Sequence, residues 1–162
     1  MVAERGMAEV TAGRFWAWVG FFSLFSGPLF GTLSVRIWRK GGFMAVFAVQ
    51  TVSYGLASVN LGMWALYLSI ALYGIAAWSI PTIMAAAVGD YLGPARAAAG
   101  FSIVTFFFGA GQTLGPALAG IAAKTTGTFS TSYLLAAAAT GTAVVLASFL
   151  RKPPIEDPVT PR

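Results

Sequence analysis

The chain has 162 residues, of which 57% are hydrophobic and only 9% charged, with 10 Lys and Arg against 5 Asp and Glu. A soluble domain carries roughly 25% charged residues, so this composition is that of an integral membrane protein. With no Cys and no His, thiol chemistry, disulfides, His-ligated metals and Ser-His triads are excluded.

The first 14 residues carry Glu4, Arg5, Glu9 and Arg14, not the purely basic start of a cleavable signal, and none is expected. They read as an extracytoplasmic N-terminal segment. The first apolar run, 15–35, makes about 31 Å of helix at about 1.5 Å per residue, one crossing of the hydrocarbon core. Trp16 and Trp18 sit at one end as interfacial residues, and Trp38 lies past the other. A basic cluster, Arg36, Arg39 and Lys40, follows. The uncharged stretch 41–89 is too long for one span, and Ser58-Val59-Asn60-Leu61-Gly62 is the turn that divides it. Spans are thus predicted over 42–57 and 63–88. Gly89 to Arg96 is a polar turn, the fourth span covers 97–123, and a Thr/Ser/Gly turn leads to the fifth, 133–150. The tail 153–162 has four prolines and is expected to be disordered.

The predicted fold is therefore an all-α integral membrane protein, a five-transmembrane-helix bundle over 15–152 with its lipid bilayer as the first partner. Helices leave no backbone polar group facing lipid, and the alternating short strands of a transmembrane barrel are absent. Alternate sides of the membrane receive Arg5, Arg14 and Lys124 on one side and Arg36, Arg39, Lys40, Arg96, Arg151, Lys152 and Arg162 on the other. That bias puts the N-terminus outside and the C-terminus in the cytoplasm of a plasma-membrane protein. The cations stand at the ends of apolar runs, as topology signals and not as a nucleic-acid-binding stripe.

Two spans carry a Gly-Pro pair: Ser26-Gly27-Pro28 in the first and Gly115-Pro116 in the fourth. They are three helices apart and cross in opposite directions, the mark of an inverted three-helix repeat. On that reading the first trio lacks its first helix.

These residues resemble the major facilitator superfamily, specifically the last five of its twelve helices. The basic loop is similar to the signature G-x-L-(A/S)-D-(R/K)-x-G-(R/K)-(R/K), matched by Gly31, Leu33, Ser34, Arg36, Arg39 and Lys40. Val35 stands where the family has Asp and Trp38 where it has Gly. The fourth span resembles the family's eleventh helix, with Gly111, Gly115, Pro116 and Gly120 in its Gly-Pro pattern. The resemblance implies part of a secondary small-solute permease working by alternating access, not an enzyme, and with no cofactor. Its partners would be a small-molecule solute and the missing N-terminal helices of the same transporter, and the isolated chain would be inactive. The alternative is a small non-transport membrane subunit that binds a partner through a glycine face.

Gln112 is the most polar side chain deep in the fourth span, which by resemblance borders the central cavity. It is a candidate for the substrate path or for an interhelical hydrogen bond. Trp78, Ser79 and Thr82 flank Pro81, where a kink frees backbone carbonyls, and Ser26 beside Gly27 and Pro28 joins them. Gly100, Gly111, Gly115 and Gly120 are candidates for close helix packing, with a hinge at Pro116. Asp90 ends the third span, where the helix dipole disfavours an anion. An ion pair with Arg36, Arg39 or Arg96 would lock the cytoplasmic helix ends, and a solvated interfacial Asp90 is the other reading. No ionisable side chain lies mid-span, so a proton-coupling acid would have to come from outside this sequence.

Overall fold

A computed structural model describes residues 9–59 and 61–151. Arg5, Lys152 and Arg162 of the charge tally, Asn60 of the expected turn, and the tail expected to be disordered lie outside the described residues. The described chain forms α1 (Glu9–Arg36), α2 (Trp38–Ser58), α3 (Met63–Ala76), α4 (Ser79–Thr126) and α5 (Ser130–Ser148), with no strand among the described residues. The protein is all-α, as long apolar runs in lipid require. By length and composition three stretches can cross a membrane: Gly13–Arg36, Met63–Thr126 and Ser130–Ser148. α2 falls outside that set.

Two breaks shape the path. Where one span was predicted over 63–88, α3 stops at Ala76 and α4 starts at Ser79. Pro81 therefore sits in the first turn of a new helix, where its missing N–H leaves no hydrogen bond unmade, and does not kink a continuous one. The second break is Gly93, at φ 68 and ψ 169 inside α4. Such a backbone is open to glycine and strained for other residues. Pro94 then starts a second helical arm, 94–126.

That arm turns back on the first. A Cβ added at Gly100 would lie 3.1 Å from a methyl of Val88, yet twelve residues of straight helix would separate them by about 18 Å. The return helix α5 is tied to the second arm at one end, where the Ser132 hydroxyl donates to the Ala119 carbonyl at 2.7 Å. At its other end the Tyr91 hydroxyl donates to the carbonyl of Arg151. The described chain thus passes five times between two ends. One end gathers Ile37 to Lys40, Asp90, Tyr91 and Arg151. The opposite end gathers Phe15, Ala57, Leu66 and Tyr133.

Phe30, Val46, Ala76 and Ile83, from α1, α2, α3 and α4, form the buried core. The most extensive helix pair is α2 with α5, where the Thr51 hydroxyl donates to that of Thr140 at 2.9 Å.

Candidate functional site

The basic turn is built by a one-residue link. Ile37 separates α1 from α2, and Trp38, the first residue of α2, has φ 67. That left-handed backbone is costly for a side chain as bulky as indole and free for glycine, which is the residue the signature holds there. From this turn Arg39 reaches back along α1 and across to α4. Its Nε lies 2.6 Å from Asp90 Oδ2, and its Nη1 donates to the Ser34 hydroxyl at 3.0 Å. Ser34 in turn donates to the Gly31 carbonyl at 2.8 Å. Of the three cations considered for Asp90, Arg39 is the one in contact; neither Arg36 nor Arg96 reaches it among the described residues. The pair is partly sheltered, with Arg39 19% and Asp90 41% exposed. Gly31, Leu33 and Ser34 lie on the α1 side of the turn, and Lys40 is exposed.

The broken helix makes the second part of the site. Ser26 and Ser79 are fully buried, their hydroxyls 2.7 Å apart. The Ser79 hydroxyl also faces the Ser26 carbonyl at 3.1 Å, and the backbone N–H of Trp78, freed by the break, donates to Ser26 Oγ at 3.0 Å. These serines, named as candidates for the substrate path, form a clamp between α1 and the start of α4. Trp78 and Thr82 remain open, Trp78 at 60% exposure. Thr82 bonds the Trp78 carbonyl and lies in van der Waals reach of Gly27 and Gly31, each 3.5 Å away from an added Cβ. Pro28 lies within α1 on this same stretch.

Gln112 is exposed and makes no hydrogen bond to another described residue, so it stands apart from this cluster. The glycines around it differ from expectation. Added Cβ atoms at Gly111, Gly115 and Gly120 meet nothing within 4 Å, and no described helix packs on them; Gly100 alone is tight, against Leu92 and Val88. α4 keeps helical geometry through Pro116, its one departure being Gly93.

The close approaches fall on glycines that the spacing argument passed over. A Cβ at Gly42 would lie 2.5 Å from Ser34 Cβ, and one at Gly74 would lie 2.8 Å from Phe22 Cβ and 3.2 Å from the Val19 carbonyl. Gly42 lets α2 settle on the residue that holds Arg39, so the turn's hydrogen bonds depend on it. A cavity of about 330 Å³ at the opposite end, rimmed by Trp16, Tyr54, Tyr73 and Tyr133, also went unread. Its tyrosines are scattered over three helices, and nothing in their spacing marks convergence.

A family model described as Major Facilitator Superfamily matches residues 1–162. Among curated proteins, the chain is 27% identical over 124 residues to the tetracycline resistance protein, class G, of Vibrio anguillarum, a match covering 75% of this chain and 31% of that protein. The chain thus spans less than a third of the relative it matches. No solved structure matches it.

Proposed function

The chain belongs to the major facilitator superfamily, and on that premise we propose that it forms the C-terminal part of a small-solute secondary transporter that works by alternating access. It is a multi-pass membrane protein, and its five passes are proposed as five crossings of the plasma membrane, with the basic end in the cytoplasm and the N-terminus outside. The observation that carries the reading is the basic turn: Arg39 ties α1, through Ser34, to α4, through Asp90. An ion pair between helix ends on one face can hold that face closed and release when the helices rock. The open surface around Trp78 and Thr82, beside the clamped break, is the proposed solute path, and irregular backbone at membrane depth is where such proteins form sites. Gln112 is proposed to face the same path once the rest of the transporter is present.

The rest of the protein supplies the second wall of the cavity and the helix that would complete the first trio. Tagging the chromosomal gene after Arg162 and blotting the membrane fraction tests this, with a product much larger than this chain expected. A product of this chain's own size would favour the small-subunit reading. Reconstituted alone in liposomes, the chain is expected to take up no solute above empty vesicles, and its likeness to a tetracycline resistance protein makes tetracycline the first solute to try. In the full-length protein, Asp90→Asn and Arg39→Ala are each expected to change transport. Unchanged transport in both would remove the lock.

A further inference from the structure

At the basic end a second cavity, of about 240 Å³, opens between the first turns of α2, Tyr91 and the end of α5. Three cations line it, Arg39, Lys40 and Arg151. One carboxylate, Asp90, contacts Arg39; Lys40 and Arg151 have no carboxylate partner among the described residues. The first turn of α2 carries no acidic residue, and no side chain caps it, so nothing anionic from that helix enters the cavity. The other lining residues divide by chemistry. Trp38 and Tyr91 are side chains that settle at a membrane–water interface, while Ile37, Met44 and Leu150 are apolar.

We propose that this cavity binds the phosphate of an anionic phospholipid, with Lys40 and Arg151 on the phosphate and Ile37, Met44 and Leu150 against the glycerol and upper acyl carbons. A basic pocket between helices at the interface fits an anionic headgroup, and the apolar lining residues favour a lipid over a free anion. The left-handed backbone of Trp38 fixes where the indole leaves the chain. That ring lines the cavity together with Lys40 and Arg151.

The test uses the whole chain in nanodiscs of phosphatidylcholine doped with phosphatidylglycerol, with retained lipid read by native mass spectrometry. Lys40 and Arg151 are exposed, so Lys40→Gln and Arg151→Gln leave the fold intact, which circular dichroism would verify. Phosphatidylglycerol is expected to be retained over phosphatidylcholine, with a loss of preference of roughly fivefold for each cation removed. Arg96→Gln removes a cation of the same end that does not line the cavity, and should leave the preference unchanged. Equal preference in wild type and both cavity variants, or an equal loss in Arg96→Gln, overturns the proposal. A parallel titration of inorganic phosphate into phosphatidylcholine-only discs separates the sources. Saturable phosphate binding without any phosphatidylglycerol preference would overturn the lipid assignment in favour of a soluble anion.

Discussion

The two Gly-Pro helices look alike in sequence and differ in the fold. Around α1, glycines and serines are spent on contact: Gly42 on Ser34, Gly74 on Phe22, and Ser26 on Ser79. Along the second arm of α4 beyond Gly100, the glycines face open space, and Phe106, Phe107, Leu114, Leu118 and Ile121 are all exposed. A glycine at helical spacing therefore permits a close approach without telling whether a neighbour has taken it. In lipid, exposed apolar side chains are satisfied either by acyl chains or by another helix, so the second arm is the part of the chain whose surroundings remain to be filled.

The largest effects should come from adding a methyl where helices touch. Gly42→Ala is expected to destabilise the purified chain by about 1–3 kcal/mol, because the Cβ meets Ser34 backbone as well as side chain and one helix must shift. Gly74→Ala should act in the same direction, against Phe22 and the Val19 carbonyl. Unfolding in detergent micelles by titration with dodecyl sulfate, followed by tryptophan fluorescence, measures both. A loss within error of wild type at either position would mean that α1 does not pack as tightly as its glycines indicate. Ser26→Ala comes next, at about 1 kcal/mol, since it strips the Trp78 N–H of its acceptor at the break. Thr82→Ala, a few residues along but exposed and bonded within its own helix, should stay within about 0.5 kcal/mol.

The hydropathy pattern was enough for the all-α class and for gathering Arg39, Lys40 and Arg151 at one end, because long apolar runs in lipid leave helices as the way to pair the backbone. The Arg39–Asp90 contact was within reach for the same reason: both lie at the ends of apolar runs on one side. The turn at Gly93 was legible as part of the polar stretch Gly89 to Arg96. The break at Ala77 and Trp78 was not, because the signal, Pro81, lies inside the new helix and its effect falls upstream. The contact of Ser26 with Ser79 was not legible, since a serine in a membrane helix looks the same whether it faces a solute or another serine. Only the register of α1 on α4, a tertiary fact, decides. Trp38 shows the converse case, where the departure from the signature glycine was visible in the sequence and its cost, a left-handed φ on an aromatic residue, became visible in the backbone.

The smallest expected effect discriminates most between the two regions. Gly111→Ala and Gly115→Ala remove helix-weakening glycines and meet no neighbour, so in the isolated chain they should be neutral or stabilising by up to about 1 kcal/mol. In the full-length transporter the outcome depends on what covers the second arm. If a helix from the rest of the protein packs there as closely as α2 packs on α1, the same substitutions should become destabilising and should reduce transport. If lipid covers it, they should remain harmless in both contexts. The sign change between the two measurements, and not either value alone, reports the neighbour. A stabilising methyl in the fragment and a disruptive one in the whole would identify the second arm as the seam along which this chain joins the remainder of its transporter.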